Sequence, residues 1–134
     1  MHASVMIIDD EPDIRLYLMT ALEDHGFKAL TVPEHEAVIP ALVKNRPDFI
    51  LLDIMMPKRS GISIYREIRR HPELNRRPVA LMSGIEMTSE IDDCRNSSEL
   101  ENNGSLPTAL FIEKPIRILD LIKRIKQSLG MEES

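Results

Sequence analysis

Phe49-Ile50-Leu51-Leu52-Asp53-Ile54-Met55-Met56-Pro57 is the stretch that decides the fold. Phe49–Leu52 is apolar without a break, as expected of a strand covered by helices on both faces. The run ends in a carboxylate. Two further runs have the same form. Val5-Met6-Ile7-Ile8-Asp9-Asp10-Glu11-Pro12 lies before it, and Ala109-Leu110-Phe111-Ile112-Glu113-Lys114-Pro115 lies after it. If the three strands lie parallel, Asp9, Asp10, Asp53 and Lys114 converge at one edge of a sheet.

Between the apolar runs lie amphipathic stretches, the signature of a βα repeat. In Pro12–His25, Ile14, Leu18, Ala21 and Leu22 share one helical face. Pro12 suits the first helical turn and Gly26 a C-terminal stop. In Arg117–Leu129, Ile118, Leu121, Ile122, Ile125 and Leu129 form a stripe that leaves Lys123, Arg124 and Lys126 to water, and Gly130 ends it. The pattern predicts five strands, near residues 4–9, 28–32, 48–53, 78–83 and 108–113, each followed by a helix. Pro40 falls in the second helix, where an interior proline would cost roughly 3 kcal/mol. That helix either kinks or starts late, with Pro40 in its first turn. The long polar segment 85–107 is expected to hold a short fourth helix and a mobile loop.

The 134 residues are expected to form one domain, with a core over about 4–129. A hydrophobic fraction of 43% beside 29% charged residues reads as soluble and globular. The net charge of −5 argues weakly against nucleic acid as a direct partner. The single Cys94 cannot form an internal disulfide, which fits a reducing compartment. No apolar run approaches the roughly 20 residues of a membrane span, and Asp9 and Asp10 interrupt any signal-type stretch. The expected location is the cytoplasm. Charge is uneven along the chain. Lys58, Arg59, Arg66, Arg69, Arg70, Arg76 and Arg77 cluster in one segment, and Glu86, Glu90, Asp92, Asp93, Glu99 and Glu101 in the next. Solvated faces are the plainer reading of these clusters, docking surfaces the sharper one.

In open parallel sheets the functional crevice lies beyond the carboxyl ends of the strands. Asp9, Asp10, Asp53, Ser83 and Lys114 all fall there. Clustered carboxylates repel unless a cation joins them, and Mg2+ suits an all-oxygen set. Aspartate is a competent phosphoryl acceptor. The cation and Lys114 would hold phosphoryl oxygens, and the Ser83 hydroxyl could donate to one. Singly, each residue has a plainer reading: Ser83 as a helix N-cap, Lys114-Pro115 as a strand end. Five in order at the ends of strands outweigh those readings.

This set resembles the receiver domain of two-component response regulators, and the likeness covers nearly the whole chain. The residues that carry it are Asp9-Asp10, Leu52-Asp53-Ile54-Met55-Met56-Pro57 followed by Gly61, Ser83, and Lys114-Pro115. The resemblance implies a flavodoxin-like, doubly wound α/β fold, with a five-stranded parallel sheet of order 2-1-3-4-5 and helices on both faces. It implies a phosphorelay switch in which Asp53 takes a phosphoryl group from the phosphohistidine of a sensor histidine kinase or phosphotransfer domain. It implies Mg2+ held by Asp10, Asp53 and the Met55 carbonyl, with Asp9 acting through water. Lys114 and Ser83 would assist, and Ser83 would couple to Phe111 as a switch pair. Phe111 as plain core packing is an equal reading. The Lys114–Pro115 bond is expected to be cis. The domain would catalyse only its own phosphorylation and dephosphorylation and so is not expected to be an enzyme in the ordinary sense. Output would pass to a partner or attached domain through 85–129, with phosphorylation-dependent dimerisation among the expectations. No output domain is expected in the stretch after Leu129, and a stand-alone regulator and an excised domain both remain open.

The stretch from Ser83 to Lys114 is longer than the family pattern, which weakens any transfer of partner recognition. Three other readings compete. A haloacid-dehalogenase-like phosphatase wants a second Asp two residues after the nucleophile, where this chain has Met55. A flavodoxin-like cofactor binder needs a phosphate-cradling loop where Asp9-Asp10-Glu11 would repel phosphate. A dimerisation receiver that is never phosphorylated sits poorly with the intact acidic and lysine set.

Overall fold

The computed structural model describes residues 3–32, 37–56, 59–83 and 109–131. Five strands form one parallel sheet: β1 (Ser4–Ile8), β2 (Lys28–Thr31), β3 (Phe49–Asp53), β4 (Val79–Ser83) and β5 (Leu110–Glu113). Their order is β2-β1-β3-β4-β5. Among the described residues four helices connect or follow them: α1 (Pro12–Asp24), α2 (Val38–Asn45), α3 (Gly61–Arg70) and α4 (Ile118–Ser128). The fourth helix expected within 85–107, and the acidic cluster with it, lie outside the described residues.

Alternation along the strands builds two cores. Val5, Ile7, Phe49, Leu51, Ala80, Met82 and Ile112 point to one face, where Leu18 and Leu22 of α1 and Leu121, Ile122 and Ile125 of α4 cover them. Met6, Ile8, Ile50, Leu52, Val79 and Leu81 point to the other, under Ala41 and Leu42 of α2 and Tyr65 and Ile68 of α3. The sheet is therefore buried on both sides, which is why its central strands carry no polar alternation.

The helices begin and end for local reasons. Pro12 opens α1, where its missing N–H costs nothing. Gly26 follows it at φ +88, a left-handed conformation that a Cβ would oppose. α2 starts late, at Val38, so Pro40 stands in its first turn and removes no helical hydrogen bond. This selects the second of the two sequence readings.

Two expectations about charge are corrected. Arg69 is not on a solvated basic face but only 7% exposed. Its Nε donates to the Tyr65 hydroxyl at 3.2 Å, and its Nη1 donates to the carbonyls of Asn75 and Arg77 at 3.2 and 2.9 Å. The side chain spans the turn between α3 and β4, and its guanidinium stacks over the Tyr65 ring. Arg124, expected in water, is half-buried and donates to the Phe111 carbonyl at 2.7 Å. It ties α4 to β5.

Candidate functional site

Register places the functional residues. Ile8 pairs with Leu52, so Asp9 and Asp53 leave neighbouring strands at the same level. Asp53 pairs with Met82, and Ser83 pairs with Glu113, which brings Lys114 just past the edge. The Lys114 amide donates to the Ser83 carbonyl at 2.8 Å and extends the ladder by one bond. The Lys114–Pro115 bond is cis.

Asp9 and Asp53 are each 2% exposed. The Lys114 ammonium lies 3.2 Å from Asp53 Oδ1 and 3.8 Å from Asp9 Oδ2. The first distance is a charge-assisted contact; the second is Coulombic proximity without a hydrogen bond. Asp9 Oδ1 accepts from the Glu11 amide at 2.9 Å. Asp9 Oδ2 is buried and accepts no hydrogen bond among the described residues. Burial of Asp9 pushes its carboxyl above the ordinary value, and the nearby Asp53 charge adds to that push. The Glu11 amide and Lys114 oppose the rise without overcoming it.

Of the three carboxylates expected here, Asp9 and Asp53 both lie against Lys114. Asp10 is half-buried, and no group of three His, Cys, Asp or Glu side chains among the described residues is arranged to hold a metal. Lys114 serves as counterion to Asp9 and Asp53. A cation here would need backbone carbonyl and water oxygens beside the carboxylates. The unsatisfied, desolvated Asp9 oxygen is an acceptor suited to that company, so the donor set fits a hard cation that keeps waters.

Ser83 is 3% exposed at the end of β4. Phe111 is half-buried on β5, opposite Leu81, and packs against the core under α2 and α3. Met55 lies just past Asp53, in a two-residue antiparallel pairing of Met55–Met56 with Arg59–Ser60. A Cβ on Gly61 would stand 2.9 Å from the Asp53 carbonyl carbon and closer still to the Asp53 oxygen and Ile54 Cα. Only glycine fits where α3 begins against the loop that carries Asp53. The sequence pattern contains Gly61 but gives no sign of this contact. Sequence reasoning also missed Arg15, whose Nη1 donates to the Asp9 carbonyl at 2.7 Å.

This doubly wound sheet, with a buried Asp pair and a lysine at its carboxyl edge, defines a class. The chain belongs to the response regulator receiver domain family, whose model matches residues 5–126. It is a receiver domain of the kind found in two-component signalling. The transcriptional regulatory protein YxdJ of Bacillus subtilis is 30% identical over 125 residues, which are 93% of this chain and 49% of that protein. The chain thus spans about half the length of this relative, and 31% of the ycf27 protein of Galdieria sulphuraria. Among solved structures, the receiver domain of NtrX from Brucella abortus is 27% identical with a TM-score of 0.72, covering 96% of this chain and 99% of that one. The chemotaxis response regulator CheY4 of Vibrio cholerae shares the fold, with a TM-score of 0.75 at 22% identity, covering 96% of this chain and 100% of that one.

No helix among the described residues is long and apolar enough to cross a membrane.

Proposed function

We propose that Asp53 accepts a phosphoryl group from the phosphohistidine of a sensor histidine kinase or phosphotransfer domain. The observation that carries this reading is the Lys114 ammonium 3.2 Å from a buried Asp53 carboxylate, at the edge where β1, β3 and β5 end together. Lys114 orients the Asp53 carboxylate for attack. A carboxylate oxygen of Asp53 attacks phosphorus, a P–O bond forms, and the P–N bond to imidazole breaks. The leaving imidazole takes a proton from solvent. Lys114 then turns from the carboxylate to a phosphoryl oxygen, and the Ser83 hydroxyl donates to another.

Asp10, Asp53 and the Met55 carbonyl would hold Mg2+, with Asp9 acting through water. When bound, Mg2+ neutralises charge among the carboxylates and phosphoryl oxygens. Ser83 and Phe111 form the switch pair, and the output surface spans 85–129, toward a partner, an attached domain or a second copy of the chain. The domain acts on no other substrate, and its place is the cytoplasm with its kinase.

Acetyl phosphate or phosphoramidate with Mg2+ tests the reading. One acid-stable, base-labile phosphoryl group should appear, and peptide mapping should place it on Asp53. Full labelling of Asp53→Asn would overturn the assignment.

A further inference from the structure

We propose that Arg124 is the residue through which a change at the phosphoryl site reaches α4; this rests on the output reading given above. β5 is an edge strand of the sheet, so part of its backbone faces away from β4. The Lys114 amide donates inward, to the Ser83 carbonyl. Backbone groups alternate in direction along a strand, so the Phe111 carbonyl, three residues earlier, faces outward. Arg124 meets it there. Its Nη1 donates to that carbonyl at 2.7 Å, a short charge-assisted bond. The strand that leads to Lys114 is thus held by β4 on its inner side and by α4 on its outer side.

The bond differs in kind from the packing that also holds α4. Leu121, Ile122 and Ile125 share a cluster with Val5, Ile7 and Phe49 of the central strands. Apolar packing is non-directional, and here it does not single out β5. The Arg124 bond is directional and ends on β5, at the carbonyl of the residue paired with Ser83 in the switch. Asp120 stands one turn earlier, with Oδ2 3.9 Å from Arg124 Nε. At that distance, and with side chains 62% and 39% exposed, the ion pair is worth little, and the carbonyl is the stronger partner. Phe111, Lys114, Asp120 and Arg124 line one hollow of about 520 Å3, so the bond lies beside the phosphoryl site. When β5 shifts, the Phe111 carbonyl shifts with it, and α4 either follows or gives up the bond. Either response changes which arrangement of α4 is favoured.

Hydrogen exchange on the full chain, with and without Mg2+ and the phosphoryl mimic beryllofluoride, tests this. Fluorine NMR reports whether beryllofluoride is bound. In the wild-type chain exchange should change at Lys114 and along α4. Arg124→Met should bind beryllofluoride and keep the change at Lys114, but lose most of the change along α4. Asp120→Asn, which leaves the carbonyl bond in place, should respond as the wild type does. A full α4 response in Arg124→Met, whatever its stability, would make Arg124 a structural tie only and overturn the proposal. Loss of beryllofluoride binding in that variant would place Arg124 in support of the site itself and also overturn it. Loss of the α4 response in Asp120→Asn would assign the coupling to the ion pair and overturn the carbonyl route. If Arg124→Met does not fold, Arg124→Gln, whose amide is too short to reach the carbonyl, decides. A full response there, or a second failure to fold, overturns the proposal. A wild-type chain that binds beryllofluoride with no change along α4 would overturn the output reading and this inference with it. No binding by the wild-type chain would overturn the phosphoryl reading from which both follow.

Discussion

The ammonium of Lys114 and the carboxylate of Asp53 meet at 3.2 Å, although 61 positions separate them in the chain (114 − 53). The contact bridges the edge strand β5 and the central strand β3, across the end of β4. Asp53 is almost wholly buried, and the Lys114 side chain is 24% exposed. Removing Lys114 would leave two buried carboxylates without their counterion. We expect Lys114→Met to lose about 2 kcal/mol of metal-free stability at neutral pH, less than the full cost of breaking a completely buried pair. Urea unfolding measures it, and equal midpoints would show that the pair contributes nothing.

Asp9 gives a prediction of opposite sign. Burial raises its carboxyl above the ordinary 3.8, so between that value and the raised one the folded chain binds more protons than the unfolded chain. Stability from this group therefore falls as pH rises through that window, and the penalty persists above it. Asp9→Asn removes the buried charge. Its metal-free melting temperature should exceed that of the wild-type chain at pH 7, and the gap should close as pH falls toward 3.8. A mutant less stable at pH 7 than at pH 4, relative to wild type, would contradict the assignment.

Gly61 makes the loop after Asp53 intolerant of any side chain. A Cβ there overlaps the Asp53 carbonyl and Ile54 Cα, which are backbone atoms that cannot rotate away. Overpacking of this kind costs about 2 kcal/mol. Gly61→Ala should lose that much in denaturant unfolding and should also slow phosphorylation, because Asp53 moves with its own carbonyl. Wild-type stability in this variant would mean that the loop has room to spare.

Much of this architecture was legible because parallel strands advertise themselves. Phe49–Leu52 and Val79–Met82 are apolar on both faces because helices cover both. Strand ends are where such runs stop, so Asp9, Asp53, Ser83 and Lys114 could be placed at one edge. Contacts made by long side chains were not legible. Arg69 and Arg124 read as solvated because both belong to basic stretches, yet their guanidinium groups reach carbonyls eight and thirteen residues away. No periodicity encodes such a reach. Arg15 was hidden for the same reason.

The last prediction concerns how the site would report its state. The Lys114 amide donates to the Ser83 carbonyl at 2.8 Å, and Ser83 is in register with Glu113. A pull on Ser83 toward a phosphoryl group would thus be felt directly by the backbone of Lys114, whose side chain faces the same group. Phe111 lies two residues before Glu113, half-buried, with its carbonyl held by Arg124 of α4. A chain of contacts therefore runs from Ser83 through β5 to α4. A change of a few kcal/mol at one end is enough to shift a two-state equilibrium. With beryllofluoride and Mg2+, amide exchange should change at Lys114 and along α4, and change little in α2. Ser83→Ala should still take phosphate on Asp53 but lose most of the change at α4. Lys114→Ala should behave likewise. A full response in Ser83→Ala, or protection changes confined to α1 and α2, would break the proposed link between the phosphoryl site and β5.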